Sequence, residues 1–455
     1  MTLASTLADF AVNTKLSELP SETLERAEMV IASTLASVAV GTRIESARIV
    51  RELECANAGA QQASVWFDHR ALPLAAAAKC NAIASDAAAS DDSDMRSIAH
   101  IGTIASTTAI AVAQHHRRSG AEVLRAMVLG YEIAGRIDES LTPGRMKRGF
   151  HGSVSTVFGG TVAAGLLLEL DHKQMTHAIS LAATSIGGMA IAADTSCARE
   201  YHAAMSAMLS VMAAQAAAAG FQTETGVLDA PRGFLSAMNG TCIDEITQAL
   251  GQSWDICTDM AIKLMPGAHP FHAIAQAAAT VADQANVKPD QIDKVIISAA
   301  QMKDWMAPNH PRDLIGAAHS VVYFVAAAIV DRGFTWVHMS PEKMADPVIN
   351  ALQNRVEFDQ NPVPLPDRFT HRHGGTVILK LKDGRSLSHT CKAAKGYGVQ
   401  GIDWADVDDK YRHLMPASGL DNEGIERLLE CVHSFRSLDN MDDFVALVRR
   451  PASAR

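Results

Sequence analysis

The sequence lacks the features that mark nucleic-acid-binding and membrane proteins. Aromatic residues make up 5% of its 455 positions, and 40 Lys and Arg stand against 50 Asp and Glu, for a formal net charge of −10. It has no basic run of the kind that neutralises a phosphate backbone. No run of about 20 residues is apolar and uncharged enough to span a bilayer. We therefore expect neither a nucleic acid nor a membrane as a partner.

Cysteine pairs with the spacing of a metal or redox motif are also missing. The chain has seven cysteines and no Cys-x-x-Cys pair, and the odd number favours reduced thiols over a disulfide framework. The cysteines are Cys55, Cys80, Cys197, Cys242, Cys257, Cys391 and Cys431. The first 20 residues carry no basic stretch followed by an apolar run, so no signal peptide is predicted. Together these absences favour a cytoplasmic protein.

The common cofactor and nucleophile motifs are absent as well. The chain has no P-loop, no Gly-x-Gly-x-x-Gly after a strand, no His-Glu-x-x-His and no Gly-x-Ser-x-Gly. His371 and His373 could place two imidazoles on one strand face, but we interpret them as part of a solvated loop. The motifs therefore predict no cofactor and no metal.

The chain is rich in alanine-containing segments with helical periodicity over its first 260 or so residues. One of them begins at the cap residue Ser21 and ends at Gly41, the usual residue past a helix end. Because the side chains are small, we expect the helices to cross closely. After Pro266, helical segments alternate with β-branched runs, and Lys382-Asp383-Gly384 predicts a hairpin turn.

These patterns predict a mainly α fold with an inserted α+β lid. We assign residues 1–265 to the N-terminal part of a large all-α helical domain and residues 266–400 to an α/β lid domain. Residues 401–455 are predicted to form helices that return to the helical domain. The active site is expected between the two domains, because a cleft between two parts of a chain is a common ligand site.

Five polar clusters interrupt the helices, and each has a structural as well as a functional interpretation. In the first, Asp91 and Asp92 precede His100. These acids could cap the next helix, or one could fix the tautomer of the histidine. In the second, His151 stands in KRGFHGSVSTVFGG at a helix entrance, where free N–H groups suit a substrate carboxylate. The structural alternative is an ordinary capped helix, preceded by basic residues that face solvent.

The third and fourth clusters combine cations with histidines. Arg199 and His202 are three residues apart on one helical face. The arginine could hold a substrate carboxylate, or it could form a surface pair with a glutamate. Lys263, His269 and His272 surround two prolines. A positive helix end would keep a histidine there neutral as a base, whereas a lone histidine would be structural.

The fifth cluster is Tyr323, which sits mid-helix among apolar residues and is typical of a core tyrosine with a bonded hydroxyl. Taken together, the clusters contain histidines, a tyrosine and cations, without metal ligands or a nucleophile motif. This combination suits proton transfer at a carbon next to a carboxylate, with the cations stabilising the developing enediolate.

In order and spacing, the clusters resemble the MmgE/PrpD family, which includes 2-methylcitrate dehydratase, cis-aconitate decarboxylase and iminodisuccinate epimerase. The resemblance covers nearly the whole chain and rests on AASDDSDMRSIAHIG, GFHGSVSTVFGG, REYHAAMSA, IKLMPGAHPFH and HSVVYFVAAAI. It implies an all-α domain built from both chain ends, a smaller α/β lid and a site between them. It also implies a homodimer that acts on a small carboxylate without metal or organic cofactor.

Three positions depart from the pattern that this resemblance implies. The active-site lysine of the family is Arg199 here, its arginine after Cys-Gly is His269, and the histidine that follows its acidic pair, or an equivalent residue, is Asp94. Lysine can serve as an acid or base, whereas arginine in practice cannot lose its proton.

The predicted site combines the five clusters. The catalytic residues are predicted to be His100, His151, His269, His272 and Tyr323, and the substrate-binding residues Arg199, Lys263, Asp91, Asp92 and His202. His151 and His272 are the preferred acid/base pair, with His269 as the rival. Asp91 or Asp92 is expected to orient His100.

The predicted function is a cofactor-independent enzyme that moves a proton next to a carboxylate of a small di- or tricarboxylate. Because the family lysine is absent and two histidines flank Pro270, we prefer an epimerase resembling iminodisuccinate epimerase. The alternatives are a 2-methylcitrate-type dehydratase or a cis-aconitate-type decarboxylase. The alternative that is not an enzyme is a protein that binds a carboxylate without catalysing a reaction.

Overall fold

The structure, a computed structural model, describes residues 1–57, 59–96, 98–185, 187–241, 243–302, 309–363, 365 and 373–450. The chain is mostly helical with a few short strands, as the mainly α prediction requires. It forms two compact units, Met1–Met260 with Trp404–Arg455, and Ala261–Asp403. The three-part domain division and the lid role of its middle part stay predictions. Cys242 and His371 lie outside the described residues, and the other six cysteines are free thiols.

The N-terminal part of the first unit is a succession of helices with short strands. The helices are α1 Leu3–Asn13, α2 Ser21–Gly41, α3 Glu45–Ala56, α4 Leu74–Ala87, α5 Ile101–His116, α6 Gly120–Leu141, α7 Gly144–Lys147, α8 Ser153–Leu167, α9 His172–Ala182, α10 Ala190–Thr195, α11 Ala198–Ala218, α12 Phe234–Ala237 and α13 Asp255–Thr258. The strands are β1 Ala63–Ser64, its antiparallel partner β2 Ala71–Leu72, and β3 Asp92–Asp94, while β4 Met260–Ile262 lies at the junction of the units.

No single helix among the described residues is both long and apolar enough to cross a membrane. Only α2 and α3 pass that test as a pair, and they are bent by 91° at the break between them.

Helix α8 lies at the centre of the first unit, packed against α5, α6 and α11. The expected close crossings are present. A Cβ atom on Gly130 of α6 would lie only 2.3 Å from the Gly159 carbonyl oxygen of α8. One on Gly41 of α2 would lie 1.6 Å from the Ala84 carbonyl oxygen of α4. Glycine at these positions therefore lets the helix backbones touch, and a larger residue would push them apart.

The second unit is built on a four-stranded sheet. Its helices are α14 His272–Gln284, α15 Leu314–Ala318, α16 Val321–Asp331, α17 Pro341–Met344 and α18 Pro347–Gln353, and its strands are β5 Ile292–Ser298, β6 Val356–Phe358, β7 Gly375–Leu381 and β8 Ser386–Cys391. The strand order is β6-β5-β7-β8, with β5 parallel to β6 and antiparallel to β7. Along β7, Val377 and Leu379 are buried while Lys380 is exposed, which is the alternation of a sheet with one covered face. Helix α14 packs on β7 and β8.

The helices after residue 403 belong to the first unit. They are α19 Trp404–Leu414, α20 Asn422–His433 and α21 Asp442–Val448. On α19 the buried ammonium of Lys410 donates to the Ser33 hydroxyl of α2 at 2.7 Å and to the carbonyl of Ser90. Because Ser90 directly precedes Asp91, a helix from the end of the chain holds the segment that carries the first polar cluster.

Replacing Gly130 by Ala is expected to destabilise the first unit, because the new methyl would overlap the Gly159 carbonyl and force α6 and α8 apart. Overpacking of this kind costs about 1–3 kcal/mol of unfolding free energy, although alanine alone would favour a helix by about 1 kcal/mol. Denaturant titration measures the change. Gly333→Ala is the control, because its Cβ would meet nothing within 4 Å. Equal stability of the two variants would contradict backbone contact at this crossing.

Candidate active site

The predicted site residues are distributed over both units. The first unit contains Asp91, Asp92, His100, His151, Arg199 and His202, and the second contains Lys263, His269, His272 and Tyr323. All of these side chains are buried except His151 and His202, which are partly exposed. Buried polar groups are costly unless they find partners, so the contacts of each group indicate its role.

Asp91 is the carboxylate that holds His100. The Nδ1 atom of His100 lies 2.5 Å from Asp91 Oδ2 and 3.5 Å from Asp86 Oδ2. The hydroxyl of Thr103 donates to the same Asp91 oxygen at 3.1 Å. When Nδ1–H is donated to a carboxylate, Nε2 is the nitrogen that remains for proton exchange. Of the two acids considered for orienting His100, the structure places Asp91 in that position.

Asp92 caps a helix. Its two carboxylate oxygens each accept a backbone N–H at 2.8 Å, one from Gly102 and one from Thr103 in the first turn of α5. Burial, followed by the charge of Asp91, raises the pKa of Asp92 to about 6. Both oxygens are used by backbone amides, which favours the structural interpretation over the predicted substrate-binding role.

Arg199 is held by Asp86, a residue that the sequence analysis did not identify. The Nε atom of Arg199 lies 2.9 Å from Asp86 Oδ1, and a terminal nitrogen donates to the Asp86 carbonyl at 2.7 Å. Only 4% of Arg199 is exposed, and the neighbouring Glu200 instead accepts from the Ser46 hydroxyl. The surface Arg–Glu alternative is therefore wrong, because the arginine lies inside the unit and its partner is an aspartate.

No local pattern in the sequence connects Asp86 with Arg199. Asp86 is the penultimate residue of α4, and Arg199 is the second residue of α11. Their contact depends on the packing of α4 against α11, which sequence periodicity does not specify. The one available signal is the position itself, a lone acid near the end of an apolar, alanine-rich helix.

His151 lies directly before α8 in a positively charged environment. The backbone N–H of Ser153 donates to its Nδ1 atom at 3.4 Å, and the ring centroid of His202 is 5.9 Å away. Burial, followed by the positive charges of His100 and Arg145, lowers the pKa of His151 well below its ordinary value of 6.5. Burial also lowers the pKa of His202. His151 is therefore neutral at pH 7 and able to accept a proton.

Gly188 and Met189 contact the backbone of this histidine and of the residue before it. The His151 backbone N–H donates to the Gly188 carbonyl at 3.0 Å, and Phe150 forms an antiparallel bridge with Met189. Gly188 has φ +82°, and a Cβ there would lie 2.3 Å from the Ser153 Oγ. Glycine is therefore needed both for the backbone angle and for the close approach to the start of α8.

The basic residues before His151 divide into one inward and two outward side chains. Arg145 is buried, donates to the Phe150 carbonyl at 3.2 Å and lies 3.5 Å from Asp138 Oδ1. Lys147 and Arg148 are exposed. Arg145 thus shapes the loop that carries His151, while the other two cations face solvent.

The second unit brings two of its predicted histidines together. The ring centroids of His269 and His272 are 4.7 Å apart, and both residues are buried. The Phe324 ring lies nearly parallel to His272 at 6.3 Å, and Tyr397 lies edge-on to His269 at 5.9 Å. Lys263 is buried directly after β4. This grouping keeps both His269 and His272 as candidates and does not choose between them.

Tyr323 has the contacts of a core residue. Its hydroxyl donates to the His338 carbonyl at 2.7 Å, and its ring meets Phe334 edge-on. Burial raises its pKa above the ordinary value. Because the hydroxyl proton is engaged with the backbone, this geometry favours the core interpretation over the predicted role as proton donor.

One group in the first unit has the spacing of metal ligands. A ligand atom from each of Asp86, Asp91 and His100 lies within 4.8 Å of the others. The guanidinium of Arg199 is already 2.9 Å from Asp86, so a fixed positive charge balances one of the two carboxylates. The arrangement is thus accounted for by hydrogen bonds and ion pairs among the residues themselves.

Two domain models of one family match this chain. The MmgE/PrpD N-terminal domain matches residues 5–254, and the MmgE/PrpD C-terminal domain matches residues 265–434. Cis-aconitate decarboxylase of Homo sapiens is 25% identical over 452 residues, which cover 96% of this chain and 92% of that protein. Cis-aconitate decarboxylase of Aspergillus terreus is 24% identical over an alignment of 482 positions, gaps included, which covers 98% of this chain and 96% of that protein.

Asp92→Ala is expected to lower the unfolding free energy by about 2 kcal/mol, because two amides at the start of α5 lose their acceptors. Denaturant titration measures the loss. Asp346→Ala is a matched control, because Asp346 caps α18 through two amides in a less buried place. We expect a smaller loss of about 1 kcal/mol for that control. Unchanged stability of Asp92→Ala together with a large rise in KM would instead assign Asp92 to substrate binding.

The low pKa of His151 makes stability depend on pH. Below pH 6.5 the unfolded chain takes up a proton at this position that the folded chain excludes, so the folded state loses stability as the pH falls. The loss approaches about 1.4 kcal/mol per pH unit below 6.5 and should disappear in His151→Gln. Unfolding titrations between pH 7.5 and 5.5 measure it, with His413→Gln at an exposed position of α19 as the control. The same slope in wild type and His151→Gln would contradict a neutral His151.

Proposed function

The chain belongs to the MmgE/PrpD family, and from this premise we propose that it is a lyase acting on a small di- or tricarboxylate. The first candidate reaction is a decarboxylation of the cis-aconitate type, and the second is a 2-methylcitrate-type dehydration. The names of the relatives favour this lyase alternative over the epimerase that we preferred from the sequence.

The observation that carries the proposal is a neutral His151 beside a carboxylate-oriented His100. His151 has a lowered pKa, and Asp91 fixes Nδ1 of His100 so that Nε2 remains for proton exchange. One imidazole ready to accept a proton and another held by a carboxylate form the pair that acid–base catalysis requires. Arg199 and His100 both act electrostatically on His151, because each contributes to lowering its pKa.

The chemistry assigned to these groups follows from the bonds that change. In a decarboxylation, the carbon–carbon bond to the leaving CO2 breaks, its electron pair stays on the substrate, and an acid supplies a proton to carbon. In a dehydration, a base removes a proton next to a carboxylate and an acid protonates the departing hydroxyl. We assign proton transfer to His151 and His100, and stabilisation of the developing negative charge to Arg199 and Lys263.

The histidines of the second unit have proposed roles of the same kind. From the sequence His272 is the preferred partner of His151 and His269 its rival, and both stay in the proposal because the two rings lie 4.7 Å apart and both are buried. The homodimer implied by the family resemblance is also part of the proposal, and light scattering of the purified protein measures the mass directly.

Epimerisation is the third candidate, because Arg199 occupies the position of the family lysine. A permanent cation stabilises an enediolate without supplying or removing a proton, which leaves two histidines to exchange protons on the substrate. This outcome differs from the lyase reactions in its products, so one assay separates them.

Incubation with cis-aconitate and related di- and tricarboxylates in D2O, followed by proton NMR, is expected to give loss of CO2 and new vinylic methylene signals. His151→Gln should lower kcat by about 10²–10⁴-fold, the usual contribution of a general acid or base. His413→Gln, a change of the same kind at an exposed site, should retain activity. Deuterium incorporation with inverted optical sign would indicate that the protein is an epimerase and not a lyase. Binding without exchange or turnover of any acid would overturn the enzyme proposal.

A further inference from the structure

Asp86 contacts Arg199 at two points. Its Oδ1 atom lies 2.9 Å from Arg199 Nε, and its own backbone carbonyl accepts from a terminal nitrogen of the same guanidinium at 2.7 Å. The first contact is an ion pair and the second a hydrogen bond, and together they hold the position and the orientation of the guanidinium. Asp86 is 2% exposed and Arg199 is 4% exposed, so water does not screen the pair.

The other carboxylate oxygen of Asp86 extends this contact to His100. Asp86 Oδ2 lies 3.5 Å from His100 Nδ1, which in turn is 2.5 Å from Asp91 Oδ2. Two carboxylates, a guanidinium and an imidazole therefore form one buried network. Breaking such a network by removing one member leaves an uncompensated charge, so each member holds the others in place.

The identity of residue 199 gives this network a chemical consequence. A lysine ammonium is a point charge on a flexible stem, whereas a guanidinium has five N–H donors in a fixed plane. The guanidinium meets the carboxylate and the backbone carbonyl of Asp86 together in one fixed plane and keeps further N–H donors for a substrate, whereas an ammonium doing the same would keep one donor and no fixed plane. Asp86 and Arg199 thus form a matched pair.

We propose that Asp86 is a positioning residue that fixes the Arg199 guanidinium and the His100 imidazole, so that Arg199 is a permanent, oriented positive charge for a substrate carboxylate. Arg199 does not transfer protons in this arrangement, and proton transfer is left to histidines. This inference rests on the proposed function for its substrate, while the Asp86–Arg199 contact itself is independent of it.

The kinetic test compares Asp86→Asn, Asp86→Glu and Arg199→Lys with the wild type on whichever carboxylate the wild type turns over. Asp86→Asn and Arg199→Lys should each raise KM by about tenfold or more, the equivalent of about 1.4 kcal/mol, with a smaller change in kcat. Asp86→Glu, which keeps the carboxylate, should recover part of the loss. Glu28→Gln is the matched control. It removes another buried carboxylate that pairs with an arginine, the exposed Arg436 at 2.8 Å, and should leave KM unchanged.

A second readout needs no substrate. The Nη–H signals of Arg199 in a nitrogen-15 NMR spectrum, identified by their disappearance in Arg199→Lys, should be protected from solvent exchange in the wild type, because one of them is donated to the Asp86 carbonyl. They should lose that protection in Asp86→Asn, which removes the ion pair, and keep it in Asp86→Glu. If Asp86→Asn does not fold, Asp86→Glu carries both measurements and Arg199→Lys carries the kinetic one. Nη–H signals that are unprotected in the wild type, or a KM that no variant changes, would overturn the inference. A wild type inactive on every acid but with a protected, Asp86-dependent signal would overturn the proposed function alone.

Discussion

Close contact between helix backbones is the constraint on which the rest of the first unit depends. Gly130 against Gly159, and Gly41 against Ala84, bring the helices together at distances that a side chain would prevent. Polar groups on helices packed in this way are buried, and they must find partners among themselves. The paired charges of the candidate site are therefore a consequence of how the alanine-rich helices pack.

The acidic cluster shows how far local sequence can predict a site. The pattern before His100 predicted a cap or an orienting carboxylate, and the structure contains both, on adjacent residues. Asp91 contacts His100, and Asp92 accepts hydrogen bonds from the first backbone amides of α5. Asp94 pairs with the buried Arg96 at 2.8 Å. These roles depend on which groups of the folded chain surround each carboxylate, and composition alone could not assign them.

Contacts between distant helices could not be predicted from the sequence. The helices, the hairpin at Lys382-Asp383-Gly384 and the close crossings follow from periodicity, turn chemistry and side-chain size. The partner of Arg199 does not, because Asp86 is 113 positions away and the pairing depends on how α4 meets α11. The names of the relatives favour the lyase alternative over the preferred epimerase, and the sequence could not decide between them for a physical reason. Histidines and cations suit epimerisation and elimination alike, so residue types do not determine which bond of the substrate breaks.

The contact of Lys410 with Ser33 and Ser90 has a consequence for how the protein forms in a cell. Its hydrogen bonds close loops of 377 and 320 residues, and the whole second unit lies within both loops. A chain emerging from the ribosome has made Asp91 and His100 long before α19 exists. The segment that carries them gains its contact with Lys410 only when α19 leaves the exit tunnel. Completion of this site is therefore a late event of biosynthesis, after the sheet of the second unit has had time to assemble.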